Sequence, residues 1–361
     1  MTGTTAPKTI APAISPKISV VMPAYNAAHH LPVVLAPLLA MLRAGEIAEI
    51  LLVDDCSTDA TAAVAAGLGA AGLGAADLGA ADLGARVLIM PKNGGPGAAR
   101  NFAARHAVGE ILWLVDSDVV AHPGGPALIA AAFADPGVVA VFGSYDAAPA
   151  GQGWMSQYKN LMHRYYHQRA KREASTFWAG CGALRKAAFL AVGGFDVKTY
   201  TRPSIEDIEL GYRLRAAGGR ILLVPDLQGK HLKVWTLRNA LHTDIFARAI
   251  PWSRLMIGRE GLTDDLNTSR AERVRAGLAG LLALSVLIVP FAPGLWGLAL
   301  ALLAVVVVAN WPLLRFLYRA AGPGVALRGG LYHQIYYLYS ATAFIWCLVE
   351  ARVLGRRSAG V

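Results

Sequence analysis

Six short runs of apolar residues, each four or five residues long, set the strongest constraint on the fold of this chain. Helix-like segments separate most of these runs, which occupy residues 18–22, 50–53, 87–90, 111–115, 138–142 and 221–224. Runs that are apolar at every position are typical of strands buried on both faces. Because such strands alternate with helices, residues 16–235 are predicted to form an α/β domain with a mostly parallel sheet.

The chain beyond this region is far more apolar. Residues 276–310 carry no charged side chain, and residues 331–349 contain no Lys, Arg, Asp or Glu. A Pro/Gly turn at 290–294 divides the first stretch into halves of about 17 residues, near the lower limit for crossing a bilayer. We therefore predict a transmembrane region over 273–354, with helices at about 276–291, 294–312 and 331–350. Buried core helices are the alternative.

The charge and the cysteines bear on location. The 361 residues include 34 Lys and Arg against 24 Asp and Glu, a formal net charge of +10. Many basic residues flank the apolar segments and no nucleic-acid module is recognised, which favours a lipid bilayer over nucleic acid. Three widely spaced cysteines favour a reducing compartment. We expect a multi-pass protein of the inner membrane, with two or three crossings and the α/β domain in the cytoplasm.

Three segments are expected to lie outside the regular α/β pattern. Residues 1–15 are rich in Thr, Ala and Pro and are predicted to be a flexible tail. Residues 67–86 repeat a five-residue unit that fits neither a helical nor a strand period, so we interpret them as a low-complexity insertion. Residues 236–272 are expected to be an interfacial segment.

Carboxylates directly follow two of the predicted strands. Asp54 and Asp55 follow the second, whereas Asp116 and Asp118 follow the fourth. Ligands of open α/β sheets bind outside the carboxyl ends of the strands. Residues two apart in an extended segment point to the same side, so Asp116 and Asp118 should converge. Such a pair is costly without a cation or proton between the carboxylates, and a hard divalent cation with oxygen ligands satisfies it.

Two other polar segments contain candidate site residues. The Gly-rich segment 92–101 follows the third strand and opens a helix, whose N terminus favours an anion; a tight turn with a basic helix start is the alternative. Glu206, Asp207 and Glu209 exceed what helix capping requires, so one of them is a candidate general base. His231, after the last strand, either contacts the cation or phosphates or is structural.

Taken in this order, the motifs resemble those of family-two glycosyltransferases with the GT-A fold. The matching segments are 21–26, 54–59, 93–101, 116–118 and 206–207. Residues 179–185 and 193–196 resemble the acceptor-side segment of the family. The resemblance covers roughly residues 17–235, and it implies a GT-A nucleotide-diphospho-sugar transferase domain followed by the C-terminal helices.

The resemblance also implies roles for individual residues. The residues expected to bind the donor are Pro23, Tyr25, Asn26, Asp54, Asp55, Asn93, Arg100 and Asp116. Mg2+ or Mn2+ on the donor diphosphate would be bound by Asp118, with Asp116 and His231 nearby.

On the acceptor side, the resemblance implies one base and one binding segment. Asp207 would deprotonate the acceptor hydroxyl, with Glu206 beside it. The residues expected to contact the acceptor are Trp178, Gly180, Cys181 and Gly182.

The resemblance, together with the apolar C-terminal segments, thus implies an inverting enzyme that moves a sugar from a nucleotide-diphosphate donor to a lipid or lipid-linked glycan acceptor at the membrane. A Rossmann-type NAD(P)-dependent oxidoreductase is the rival enzyme, because residues 95–100 nearly fit the dinucleotide fingerprint. Arg100 replaces its third glycine, and two strands precede this loop. A catalytically silent membrane scaffold is the non-enzymatic alternative.

Overall fold

The computed structural model of the chain describes residues 16–68, 84–262 and 264–353. The predicted tail and most of the five-residue repeat lie outside the described residues. The strands are β1 (Ile18–Ala24), β2 (Glu49–Asp54), β3 (Ala85–Ile89), β4 (Ile111–Val115), β5 (Val119–Ala121), β6 (Val138–Tyr145), β7 (Cys181–Arg185) and β8 (Arg220–His231).

Helices connect the strands and then continue alone. They are α1 (Leu31–Arg43), α2 (Thr61–Gly67), α3 (Gly95–His106), α4 (Gly125–Ala132), α5 (Trp154–Arg169), α6 (Lys186–Ala191), α7 (Glu206–Ala216), α8 (Leu237–Asp244), α9 (Ile250–Leu255), α10 (Arg270–Ile288) and α11 (Trp296–Arg352). The π-helical segments Ile245–Ala249 and Met256–Glu260 flank α9, and short 3-10 turns at Leu266–Thr268 and Pro293–Leu295 precede α10 and α11.

All described strands form one sheet in the order β3-β2-β1-β4-β7-β6-β8-β5. Strands β3, β2, β1 and β4 are parallel, and β6 is parallel to β8. The antiparallel pairs are β4 with β7, β6 with β7, and β5 with β8. The α/β prediction is confirmed, but the sheet is mixed because β5 and β7 are inserted against the parallel direction.

The sheet is buried on both faces, as the uniformly apolar runs predicted. On β1, Val20 and Met22 pack into one core cluster with Leu35 of α1, whereas Val21 packs into a second cluster on the opposite face with Ala103 of α3. Alternate side chains of one strand therefore serve two different layers of helices. This double burial fixes the carboxyl ends of the central strands at one edge of the domain.

The apolar C-terminal region forms α10 and α11. Helix α11 is interrupted at Gly322, where φ is 81°, and Pro323 follows and cannot donate a backbone hydrogen bond. The predicted segment 276–291 largely coincides with α10, and the segments 294–312 and 331–350 lie in α11 on opposite sides of Gly322. Among the described residues, one helix, Pro293–Arg352, is long and apolar enough to cross a membrane. The uncharged part of α10 within the helix, residues 276–288, is only about 20 Å long.

Candidate functional site

The acidic strand ends lie at one edge of the sheet. Asp54, the last residue of β2, is paired in register with Ala24 at the end of β1, and Asp116 directly follows β4 on the other side of β1. Asp54 is buried and its Oδ1 accepts a hydrogen bond from the backbone N–H of Ser57 at 3.0 Å. This bond stabilises the turn after β2, which is a common structural role of short polar side chains.

Asp55 is bound to the Gly-rich loop. Its Oδ1 and Oδ2 accept the backbone N–H groups of Gly94 and Gly95 at 2.8 and 2.7 Å, and its carbonyl accepts Nδ2 of Asn93 at 2.9 Å. Gly95 has a φ of 79°, a conformation that favours glycine. Asp55 and Asn93 therefore bind each other's segments and together form the wall between the ends of β2 and β3.

The end of β1 presents Tyr25 outward. Pro23 is buried within the strand, whereas Tyr25 is 53% exposed. Asn26 adopts a φ of 51° and its Oδ1 accepts the backbone N–H of Thr58 at 2.8 Å. The turn after β1 is thus attached to the turn after β2, and the Tyr25 ring stands free above it.

Asp116 forms an ion pair with Arg100, which is buried in α3. The guanidinium of Arg100 also lies 5.5 Å from the centre of the Phe195 ring. Two residues beyond Asp116, Asp118 faces a different partner: its Oδ2 is 3.4 Å from Nε2 of His231. The pairing of β5 with β8 sets this contact, because Val119 is opposite His231 in the ladder.

Asp118 remains a carboxylate in this environment. Burial raises its pKa, but the neighbouring His231 side chain and the Lys233 ammonium outweigh burial and leave the pKa below its ordinary value. Asp118 and His231 thus offer one oxygen and one nitrogen side by side, whereas Asp116 is engaged by Arg100. No cluster of three or more His, Cys, Asp or Glu side chains suited to a metal occurs among the described residues.

Such a two-residue site still fits a donor-bound cation. Mg2+ in nucleotide sites is commonly held by one or two protein carboxylates, with phosphates and water completing its shell. Asp118, three-tenths exposed, and His231 meet this requirement without a third protein ligand.

Asp207 lies in the first turn of α7 and is half-buried. Its Oδ2 accepts the backbone N–H of Ala179 at 3.1 Å, and its Oδ1 accepts that of Ile208 at 2.8 Å. Burial, and then the charge of Glu206, raise the pKa of Asp207 to about 7. Glu206 itself is buried and its Oε2 accepts the backbone N–H of Ser204 at 2.7 Å. A carboxylate with a pKa near neutrality is suited to general-base catalysis.

The segment predicted to bind the acceptor connects these groups. Ala179 donates to Asp207, and the carbonyl of Gly180 accepts the backbone N–H of Asp116 at 3.4 Å. The indole of Trp178 covers Gly180, where a Cβ would lie only 2.5 Å from the ring. At Gly182 a Cβ would lie 2.4 Å from the Trp178 carbonyl oxygen, so both glycines are required by close approach.

Cys181 belongs to the same segment but carries no reactivity. It is buried at the start of β7, opposite Val115 of β4. Burial raises the pKa of its thiol to about 12, so the sulfur is protonated at neutral pH. Cys181 therefore packs beneath the site.

Three site residues escaped the sequence analysis. Tyr145 stacks on His231 with ring centres 4.4 Å apart and an angle of 6° between the rings, and Asn160 lies 2.9 Å from the other ring nitrogen of His231. Lys233 lies near Asp118 and Asp116, whose charges act on its ammonium group. Lys233 could have been identified from the sequence, because it lies two residues after His231. Tyr145 and Asn160 could not, because they lie in distant segments of the chain.

Comparison with known proteins identifies the families that the chain matches. The family described as "Glycosyl transferase family 2" matches residues 19–193, and "Glycosyl transferase family group 2" matches residues 111–350, more than half of the chain. The succinoglycan biosynthesis protein ExoO of Rhizobium meliloti (strain 1021) is 34% identical over 108 residues. That match covers 30% of this chain and 27% of the relative.

Solved structures of low identity are also similar. A mannosyltransferase of Pyrobaculum calidifontis in complex with GDP-Man and Mn2+ is 20% identical, with a TM-score of 0.46 over 94% of this chain and 91% of that chain. TarS 1–349 of S. aureus is 20% identical, with a TM-score of 0.46 over 66% of this chain and 64% of that chain. The family matches give no support to the oxidoreductase alternative.

The family matches confirm the resemblance drawn from the motifs at 21–26, 54–59, 93–101, 116–118 and 206–207. They extend it past the α/β domain, because the second matched region continues to residue 350 and includes α10 and most of α11. The chain belongs to glycosyl transferase family group 2.

Proposed function

We propose that this chain is an inverting glycosyltransferase that uses a nucleoside-diphosphate sugar and a divalent cation. One observation carries the proposal: the segment 178–182 joins Asp207, with its raised pKa, to the strand end that holds Asp116 and Asp118. A base for the acceptor hydroxyl and a cation site for the diphosphate leaving group are the two things that a single in-line displacement requires.

On the donor side, each residue has a task that follows from its contacts. The exposed Tyr25 ring is free to stack on the base of the nucleotide. The wall formed by Asp55 and Asn93 would bound the nucleotide on the side of β2 and β3. Asp118 and His231 would hold Mg2+ or Mn2+, which supplies positive charge to the diphosphate as the leaving group departs. The ion pair with Arg100 would hold Asp116 in place beside the sugar and ribose.

On the acceptor side, Asp207 accepts the proton of the attacking hydroxyl. The acceptor oxygen bonds to the anomeric carbon while the bond from that carbon to the diphosphate oxygen breaks, which inverts the centre. The Ala179 N–H holds the Asp207 carboxylate in place, and the charge of Glu206 keeps its pKa high. Trp178, half-buried beside it, offers a surface for the acceptor.

We propose that the acceptor is a lipid or lipid-linked glycan. Helix α11 is apolar and exposes residues such as Val308, Leu300 and Trp311 along its length. Such a surface is suited to a bilayer, and anchoring there would bring lipid-borne acceptors to the site, with the α/β domain in the cytoplasm. The relative named for succinoglycan biosynthesis supports an acceptor from glycan assembly.

A donor screen tests the proposal. Full-length protein in detergent is titrated calorimetrically with UDP-, GDP-, CDP- and dTDP-sugars, with Mn2+ and with chelator. We expect one donor class to bind with Mn2+, and Asp118→Ala to lose the metal-dependent part of the affinity. Asp135→Ala, which removes an exposed carboxylate paired with Arg220, is the matched control and should bind as the wild type does. Absence of metal-dependent binding for every donor would refute the proposal.

A further inference from the structure

The imidazole of His231 has a polar partner at each ring nitrogen. Its Nδ1 lies 2.9 Å from Oδ1 of Asn160, and its Nε2 lies 3.4 Å from Oδ2 of Asp118. His231 and Asn160 are buried, with exposed fractions of 6% and 2%. Side chains therefore decide which nitrogen carries the proton.

The orientation of the Asn160 amide is set by its own helix. Nδ2 of Asn160 donates to the backbone carbonyl of Ser156 at 2.9 Å. A carbonyl oxygen only accepts hydrogen bonds, so the amide nitrogen must face Ser156 and the amide oxygen must face His231. Because that oxygen has no hydrogen to give, Nδ1 of His231 must be the donor of the bond between them.

In the neutral ring, this assignment determines the state of the second nitrogen. A neutral imidazole has one N–H, so a proton on Nδ1 leaves a lone pair on Nε2, the atom that faces Asp118. The parallel Tyr145 ring packs against His231 and restrains its plane. A carboxylate oxygen and an imidazole lone pair then stand next to each other, as ligands of one cation do.

We propose that Asn160 is a positioning residue that holds His231 in the tautomer with Nε2 free to ligate the divalent cation. The inference rests on the proposed function, because that function places a cation at Asp118 and His231. The competing arrangement is an imidazolium that pairs with Asp118 and never meets metal; there both nitrogens are protonated and Asn160 contributes only to stability. Where a histidine ligates a metal, loss of the group that fixes its tautomer typically lowers the metal affinity 10–100-fold.

Two substitutions at Asn160 separate tautomer control from folding. Asn160→Leu keeps the size of the side chain but offers no acceptor, so His231 is free to protonate Nε2; Asn160→Ala is a second variant of the same kind. Asn160→Asp keeps an acceptor for the Nδ1 proton and should rescue the site.

Asn310 of α11 is a matched control. It is buried, its Nδ2 donates to the carbonyl of Val306 at 2.9 Å, and its Oδ1 accepts the hydroxyl of Tyr337 at 3.2 Å. Asn310→Leu removes two comparable hydrogen bonds from a buried asparagine in another helix. It should lower stability and leave cation binding unchanged.

The probe is Mn2+ added with UDP, GDP, CDP or dTDP to full-length protein in detergent. Pulsed electron paramagnetic resonance detects the 14N coupling of an imidazole bound to Mn2+, and His231→Ala identifies this signal against nitrogens of the base. We expect the coupling in the wild type, Asn160→Asp and Asn310→Leu, and its loss with a tenfold or greater fall in Mn2+-dependent nucleotide affinity in Asn160→Leu. Wild-type affinity and coupling in folded Asn160→Leu or Asn160→Ala would overturn the inference, as would Mn2+ binding without 14N coupling in the wild type. Failure of the wild type to bind Mn2+ with any of these nucleotides would instead remove the proposed function.

Discussion

The carboxylate of Asp207 accepts a hydrogen bond from the backbone N–H of Ala179 at 3.1 Å, across 28 residues of sequence. Through Ala179 and the adjoining Gly180, the start of α7 is connected to the end of β4, where Asp116 lies. The first turn of α7 is therefore fixed relative to the edge of the sheet that bears the other carboxylates.

Asp207→Asn is expected to lower the rate of sugar transfer by at least about a hundredfold, because general-base catalysis contributes about 10²–10⁴ in rate. Asn preserves the shape of the side chain, and its Oδ1 can still accept the Ala179 N–H, but it has no basicity. Donor affinity should stay within a factor of a few, because the donor residues lie on other strand ends. Transfer rate and donor affinity are measured on the same folded variant. Helix capping alone predicts nearly full activity, since Asn caps about as well as Asp.

The rate should depend on pH through Asp207. Its pKa is raised from 3.8 to about 7, so kcat/KM should rise about tenfold per pH unit below about 7 and level off above it. The effect on stability has the opposite sign. The contribution of this carboxyl to stability is fully present below pH 3.8 and is lost as the pH rises through about 7, because the folded state retains a proton that the unfolded state has released.

Glu206→Gln tests the cause of that shift. Removing the Glu206 charge should move the midpoint of the pH profile to lower pH, while the Gln side chain can still accept the Ser204 N–H. Burial is the larger cause, so the midpoint should remain above the ordinary value for Asp. An unchanged midpoint in a folded variant would show that the charge of Glu206 does not raise the pKa that governs the rate.

Attachment to the membrane is checked by alkaline carbonate extraction. Because α11 is apolar and largely exposed, the full-length protein should stay in the membrane pellet. Replacing Leu300 and Val308, 59% and 72% exposed, by Glu should release it, since each carboxylate costs about 2.5–3.5 kcal/mol at the centre of a bilayer. Val33→Glu, at a position of α1 with 55% exposure, is the control and should change nothing. Wild-type protein in the supernatant would contradict the membrane proposal.

The parallel half of the fold could be predicted because each of its strands contains a short, almost wholly apolar run. Strands β1, β2 and β4 all fall on predicted runs, and the acidic residues at the ends of β2 and β4 lie at the expected edge. Strands β5 and β7 were missed for a physical reason. β5 has only three residues, and β7 contains Gly182 and ends in Arg185, so neither gives an apolar run. All antiparallel pairings of the described sheet involve one of these two strands.

The candidate site was predictable in its residue types but not in its partners. The motif around Asp116 and Asp118 predicted two converging carboxylates. In the structure, Asp116 pairs with Arg100, whereas Asp118 contacts His231. Asn160 and His231 lie 71 residues apart, and only the packing of α5 against the end of β8 brings them together. Contacts of this kind depend on the tertiary structure, which local sequence patterns do not encode.

The buried ion pair of Lys159 and Asp244 should hold the C-terminal helices to the α/β domain. Nζ of Lys159 in α5 lies 2.6 and 2.8 Å from Oδ1 and Oδ2 of Asp244 in α8. Oδ2 of Asp244 also accepts the hydroxyl of Tyr339 in α11 at 2.9 Å. Burial lowers the pKa of Lys159 to about 8, although the charge of Asp244 opposes that shift. Asp244→Leu leaves the ammonium buried without its partner and should lower the free energy of unfolding by about 3–5 kcal/mol.

The double variant Lys159→Met with Asp244→Leu separates the electrostatic effect of the ion pair from the effect of changing side-chain packing. Removing both charges takes away the uncompensated ammonium, so most of the stability lost in Asp244→Leu should return. Thermal unfolding of the purified protein in detergent, at pH 7, compares the two variants with the wild type. An exposed pair provides the control: Asp135→Ala should shift the midpoint little, since exposed ion pairs contribute about 0–1 kcal/mol. If Asp244→Leu unfolds at the wild-type temperature, or if the double variant is no more stable than Asp244→Leu, the pair does not hold the helices to the domain.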